Sequence, residues 1–221
     1  MQKSVIIVAG GSGKRMGTDV PKQFLLLKSK PVLMYTISCF YDYDNEMEII
    51  VVLPKEHISV WQQLCVEHNF NIKHQIAEGG SERFYSVKNG LEKIIHKGIV
   101  AIHDGVRPLV SNETIARSFN KAAETGAAIP VMPVIESLRK IEGENSIAVN
   151  RSEFVSVQTP QSFNIDLLKK SYQQEFLSSF TDDASVVEKF GHQVSLVEGN
   201  IENIKITTPQ DLALAEYLLS Q

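Results

Sequence analysis

The sequence predicts an α/β fold with a mostly parallel sheet covered by helices on both faces, and three observations lead there. Short apolar runs bounded by turn signals fall at residues 4–9, 48–53, 73–77, 99–103 and 127–133. Between them, residues 32–40, 58–68, 85–95 and 113–125 carry apolar side chains at three- and four-residue spacing, so the order reads βαβαβαβαβ. The length of 221 residues, 43% of them hydrophobic, suits one sizeable core, and residues 1–221 are expected to form a single domain.

After Pro133 the pattern changes. Residues 136–141 and 147–151 mix polar and apolar side chains around the turn Glu142-Gly143-Glu144-Asn145, which predicts a β-arm projecting from the sheet at about 134–152. An isolated two-stranded ribbon is barely stable in water, so the arm must pack on something: a second copy of the chain or its own domain. The chain returns through Thr159-Pro160-Gln161-Ser162-Phe163 to helical stretches at 165–175 and 183–190, with Thr181 as a good cap for the second. Strands are expected at 194–198 and 204–206. Thr208-Pro209-Gln210-Asp211 starts a last helix: an N-cap threonine, proline at the first helical position and an acid at the third.

Composition excludes several functions. A formal net charge of -4 gives no general attraction to nucleic acid or an anionic membrane surface, so small anions are the expected partners. Cys39 and Cys65 have no metal-like spacing and fall in apolar segments, as reduced, buried thiols do. The first apolar run is too short for a signal or a membrane span, and a cytoplasmic location is expected.

The first run leads into Ala9-Gly10-Gly11-Ser12-Gly13-Lys14-Arg15-Met16-Gly17, then Pro21-Lys22-Gln23. Glycines let successive N–H groups converge on an anion, and Lys14, Arg15 and Lys22 add full charges beside that nest. Spacing excludes two familiar loops. A G-x-G-x-x-G count from Gly11 puts Met16 at the third glycine, and Gly13-Lys14 is followed by Arg15 rather than Ser or Thr.

Ligands of open α/β sheets bind beyond the carboxyl ends of the strands, which singles out three more places. Gly79-Gly80-Ser81-Glu82-Arg83, with Ser86, is either a loop reading a flat polar ligand or an ordinary helix start capped by Ser81. In His103-Asp104-Gly105-Val106-Arg107, Asp104 would meet ribose hydroxyls or a cation, or else form an ion pair with Arg107 that serves only the loop. His103 lacks a nucleophile or a second ligand beside it and is expected to be a packed histidine. Lys205, near a strand end, points into the site or out to solvent; periodicity does not decide.

Together, AGGSGKRM with PKQF, GGSERFYSV, HDGVRP, the arm ending in NR, QTPQSF, TDDAS, VEGNIENIKIT and TPQDLALAE resemble the 2-C-methyl-D-erythritol 4-phosphate cytidylyltransferase family over nearly the whole chain. Ribitol 5-phosphate cytidylyltransferases share many of these strings and are the alternative. The resemblance implies a Rossmann-like nucleotidyltransferase sheet and a homodimer formed through the arm. It also implies transfer of CMP from CTP to methylerythritol phosphate with release of pyrophosphate, assisted by Mg2+ held mainly by the CTP phosphates.

By the same resemblance, Ala9, Gly10, Gly11 and Gly13 would cradle the triphosphate, with Arg15, Lys22 and Lys205 near the reacting phosphorus. Gly80, Ser81 and Ser86 would read cytosine, and Asp104 with Gly105 would meet the ribose. Arg151 and Ser137 would reach the other subunit's site to hold the sugar phosphate, with Arg107, Thr159, Thr181 and Glu202 nearby. Ser137 stands where the family often has threonine, and Glu202 where it often has aspartate. The rivals are a nicotinamide-dependent reductase, disfavoured by the broken glycine fingerprint, and a nucleotide-binding regulator without chemistry.

Overall fold

The structure, a computed structural model, describes residues 1–11 and 20–221. In chain order the elements are β1 (Lys3–Val8), a small hairpin of β2 (Leu26–Leu27) and β3 (Lys30–Pro31), α1 (Val32–Tyr43), β4 (Glu48–Leu53) and α2 (Lys55–Glu67). β5 (Gln75–Glu78), α3 (Arg83–Lys93), β6 (Ile99–Asp104), α4 (Asn112–Thr125) and β7 (Ala127–Pro133) complete the regular alternation. The arm is β8 (Arg139–Glu142) and β9 (Asn145–Ala148). Then come β10 (Val155–Val157), β11 (Gln161–Asn164), α5 (Ile165–Ser171), α6 (Asp183–Lys189), β12 (Ser195–Glu198) and α7 (Pro209–Leu218).

The central sheet has the parallel character expected from the alternation. β1 pairs in parallel with β4 and β6, β4 with β5, and β12 with β7. The reversed strands are β11, wedged antiparallel between β6 and β7, and β10, antiparallel to the far end of β7.

Successive side chains of a strand leave on opposite faces, and the core divides accordingly. Val5, Ile7, Ile49, Val51 and Ala101 pack with α1, α2 and α4, including Phe40, Trp61 and Phe119. Ile6, Ile50, Val52, Val100 and Ile102 pack with α3, α5 and α6, including Phe84, Leu168 and Tyr172. A smaller cluster of Leu27, Val32, Val106, Ile206 and Ala215 seats α7.

Five expectations are corrected. Residues 204–206 form no strand; Ile206 N–H donates to the Val106 carbonyl oxygen at 2.9 Å and Ile204 N–H to the Glu202 carbonyl oxygen at 2.7 Å. Residues 161–164, read as a connection, form β11. Its Gln161 and Ser162 look unlike a core strand yet are buried, because Ser162 Oγ meets Ser118 Oγ at 2.7 Å and both amide atoms of Gln161 bond to residues 182–184. α5 stops at Ser171, short of 175. The cap of α6 is Asp182, which accepts from Ser185 N–H, and Thr181 lies one residue outside. Cys39 and Cys65 are only half-buried, though both pack against the core.

The arm is a hairpin as expected, with Gly143 at a φ of 64° in the first turn position, where a type II′ turn needs glycine. Both its strands are exposed along their whole length. The last helix starts as its sequence predicts, with Thr208 and Asp211 forming a capping box around Pro209.

Candidate active site

A cleft of about 530 Å3 opens at the carboxyl ends of β1, β4, β5 and β6. Three of the loops that line it continue the ladder one residue past their strands. Ala9 N–H donates to Val52 O at 2.9 Å, Gly105 N–H to Val8 O at 2.9 Å, and Gly79 N–H to Leu53 O at 2.8 Å. Such close passage explains Gly105, where a β-carbon would lie 2.8 Å from the Ala9 Cβ and 3.2 Å from Val8 O.

Ala9, Gly10, Gly11, Lys22, Gly80, Ser81, Ser86, Asp104 and Lys205 all line this cleft, so residues singled out at four separate places in the sequence meet in one place. Gly13, Arg15 and Lys14 lie outside the described residues. The Lys22 stem passes over Gly11, where an added Cβ would lie 3.3 Å from Lys22 Cε. A single 3-10 turn, Lys22–Phe24, carries Lys22; Gln23 anchors it by donating from Nε2 to Ala9 O at 2.8 Å. Phe24 stacks on Trp61 of α2, centroids 6.0 Å apart and planes 9° apart. That turn is therefore propped from beneath.

Around Asp104 the side chains form a closed network. Lys205 Nζ and Arg107 Nε both lie 3.1 Å from Asp104 Oδ2. Burial alone would push the Asp104 carboxyl up, but Lys205, Arg83 and Arg107 hold it well below the usual carboxylate range. Lys205 thus points into the cleft, which answers the question its sequence left open. Arg107 also donates to Asn203 O at 2.7 Å and is committed to the loop, the ion-pair alternative raised above.

Thr159 lies under the cleft rather than on its wall. Its Oγ1 accepts from Asp104 N–H at 3.1 Å and meets His103 Nδ1 at 3.0 Å. His103 Nε2 in turn donates to Arg107 O at 3.1 Å, so the ring is a fully used, neutral packing residue, as expected. Burial brings its pKa down to about 4.

The other loop shows a similar division. Ser86 Oγ accepts from Gly80 N–H and donates to Glu82 O, each at 3.1 Å, which shapes the Gly79-Gly80 turn. Ser81 does not cap α3; its N-cap is Glu82, without a side-chain bond.

Ser137, Arg151, Thr181 and Glu202 do not line the cleft of their own chain. Ser137 and Arg151 sit exposed at the root of the arm, Arg151 in a 3-10 turn donating to Ile135 O. Thr181 is exposed, and Glu202 accepts from Asn200 Nδ2 at 3.1 Å.

The cleft is also lined by Gln23 and Arg83, which stand in the quoted motifs but were given no role, and by Lys55 and Glu56, which the sequence did not single out. Lys55 and Glu56 follow directly on β4, so weighting polar residues after every strand would have found them.

Among known proteins, the chain matches the family described as IspD, 2-C-methyl-D-erythritol 4-phosphate cytidylyltransferase, over residues 4–221. It is 55% identical over 219 residues to the 2-C-methyl-D-erythritol 4-phosphate cytidylyltransferase of Bacteroides fragilis, covering 99% of this chain and 100% of that one. The enzyme of that name from Bacteroides thetaiotaomicron is 54% identical over the same shares of the two chains. Among solved structures, the Thermus thermophilus enzyme of the same name superposes with a TM-score of 0.80 at 35% identity, covering 100% of both chains. The 4-diphosphocytidyl-2C-methyl-D-erythritol synthase from Anaerococcus prevotii superposes at 0.84 with 27% identity, over 100% of this chain and 99% of that one. A full-length family match, relatives above half identity and the cation-lined cleft at the strand ends agree: this chain belongs to the 2-C-methyl-D-erythritol 4-phosphate cytidylyltransferase family.

Proposed function

We propose that this chain transfers the cytidylyl group of CTP to 2-C-methyl-D-erythritol 4-phosphate and releases pyrophosphate. The observation that carries this reading is the cleft itself, where glycine backbone from two loops converges with Lys22 and Lys205 on one space. In the reaction an oxygen of the acceptor phosphate forms a bond to the α-phosphorus, and the bond from that phosphorus to the bridging oxygen of pyrophosphate breaks. The attacking phosphate is already ionised and needs no general base. What the protein must supply is alignment and positive charge against three groups of anionic oxygens.

Backbone at Gly10 and Gly11 receives the triphosphate, with Lys22 beside it, and Lys205 stands at the α-phosphate. Arg15 and Gly13 complete that loop in this reading. Gly80 and Ser81 meet cytosine on a turn that Ser86 shapes, and Asp104 and Gly105 meet the ribose. The exposed arm pairs with a second chain, bringing Ser137 and Arg151 to the partner's acceptor pocket, with Thr181 and Glu202 nearby, while Arg107 and Thr159 act indirectly by holding the Asp104 loop. The apolar side chains left exposed along this stretch, Ile135, Ile141, Ile147, Phe154, Val155 and Val157, support that pairing.

A divalent cation fits only as a companion of the nucleotide. Among the described residues no three His, Cys, Asp or Glu side chains form a group able to hold a metal ion, while Asp104 offers one carboxylate at the cleft. Mg2+ is commonly held in that way, by one or two carboxylates and substrate phosphates, and it would offset phosphate charge. A cytoplasmic location accords with this chemistry; among the described residues no helix is long and apolar enough to cross a membrane.

The test is pyrophosphate release from CTP with methylerythritol phosphate and with ribitol 5-phosphate in parallel. The first acceptor is expected to be preferred; preference for ribitol phosphate overturns the acceptor, and binding of CTP without release overturns the enzyme. Lys22→Ala is expected to lower turnover at saturating CTP by roughly 100- to 1000-fold, the scale of losing one oxyanion donor.

A further inference from the structure

Arg83 opens α3 at the wall of the cleft, and its setting is not that of a surface arginine. One terminal nitrogen lies 2.6 Å from Asp183 Oδ2. The other oxygen of this wholly buried carboxylate accepts from the Tyr172 hydroxyl at 2.6 Å. Asp183 is held in turn, since its N–H and that of Ala184 donate to Gln161 Oε1 at 3.1 and 3.0 Å. Tyr172 stacks on Phe84 with centroids 4.6 Å apart. Residues from β11, α5's C-terminal end and α6 thus fix one guanidinium.

An arginine serving only to neutralise Asp183 would be buried with it. Instead the Arg83 side chain keeps 32% of its surface and lines the cleft with Lys205 and Asp104. Its Nε and Nη1 make no bond among the described residues, and neither is a buried atom lacking a partner, so these donors are open at the cleft wall. A planar fork with one nitrogen pinned and the others open is preorganised for phosphate. Burial opposes its charge, but Asp183 keeps it ionised.

Position decides which phosphate. Phe24, next to Gln23 in the Lys22 turn, belongs to the core on one face of the sheet; Phe84, next to Arg83, belongs to the core on the other. The two cations therefore reach the cleft from opposite layers. Joining two phosphate groups requires cations for both, and the triphosphate already has the glycine loop and Lys22.

We propose that Arg83 binds the phosphate monoester of the acceptor through the guanidinium nitrogens that Asp183 leaves open, with Asp183 and Tyr172 as positioning residues. This rests on the cytidylyltransferase reading. In the full chain, Arg83→Met is expected to raise the acceptor KM roughly 10- to 100-fold while the CTP KM stays within about twofold, the scale of losing a charge-assisted bond. Arg83→Lys recovers only part of this, because an ammonium cannot reproduce the fork. Tyr172→Phe raises the acceptor KM several-fold with no loss of CTP binding.

Calorimetry with inorganic phosphate supplies a readout without turnover, and Arg83→Met is expected to weaken that binding in parallel. An unchanged acceptor KM in Arg83→Met, or an equal rise in both KM values, overturns the proposal. Should Arg83→Met fail to fold, unchanged acceptor KM in both Arg83→Lys and Tyr172→Phe overturns it. Wild-type chain that releases no pyrophosphate with either acceptor sinks the cytidylyltransferase reading alone, and the phosphate calorimetry then decides on Arg83.

Discussion

At Gly80 an added β-carbon would lie 2.3 Å from the Cβ of Tyr85 and 3.1 Å from its carbonyl carbon. Neither atom is the tip of a flexible side chain, so relief requires the loop or the start of α3 to move. Gly80→Ala is expected to cost about 1 to 3 kcal/mol of stability and to weaken CTP binding, checked by urea unfolding and nucleotide titration. Normal stability and affinity would mean that the turn has more room than its geometry shows. Gly10 is the contrast, since nothing lies within 4 Å of an added Cβ and its backbone faces the open cleft. The thiols carry no comparable function: burial raises Cys39 to about 12 and Cys65 to about 11, which keeps both protonated at neutral pH.

The short 3-10 turn of Lys22–Phe24 is too small to be rigid by itself, and its order is borrowed from the aromatic floor of α2. Phe24→Leu keeps an apolar filler but removes the ring stack, which contributes about 1 kcal/mol. Turnover is expected to fall more than CTP affinity, because Lys22 loses its support while the glycine backbone stays. Trp61 is the chain's single tryptophan, so its fluorescence reports the change directly. Unaltered turnover alongside a shifted Trp61 signal would show that the prop does not position Lys22.

Elements of this kind mark the limit of what the sequence disclosed. β1, β4, β6 and β7 were legible because burial on both faces leaves an unbroken apolar run. β11 was not, since Gln161 and Ser162 are buried through partners as remote as Ser118 and Asp182. The glycine and lysine positions of the cleft could be picked out locally, as could Asp104. Arg83 could not, because its meaning comes from Asp183, a hundred residues away. Thr159 was visible as a polar residue, but only tertiary contact shows its hydroxyl spent on Asp104 and His103.

For the molecule as a whole, His103 ties stability to pH. An unfolded histidine titrates near 6.5, whereas in the fold burial holds His103 at about 4. Between these values the unfolded chain binds the extra proton, so the stabilisation is complete above 6.5 and is lost as pH falls toward 4, by roughly 3 kcal/mol. Urea unfolding at pH 7 and 4.5 measures this, and His103→Gln is expected to flatten the dependence. Equal slopes in wild type and variant would place the proton elsewhere. The arm makes a second prediction at this scale. Wild-type chain is expected to sediment at twice the chain mass, and Ile141→Lys with Ile147→Lys to shift it toward the single chain while the nucleotide cleft still binds CTP.

Pairing of two chains through the arm would have a thermodynamic consequence. β10 and β11 follow the arm directly, and they run on into Thr159 beneath Asp104 and Gln161 behind Asp183. Whatever factor such pairing added to the grip on ligand, ligand would return to the pairing. Sedimentation across a range of CTP and acceptor concentrations should then show the dimer tightening as the cleft fills, making self-association a gauge of substrate supply.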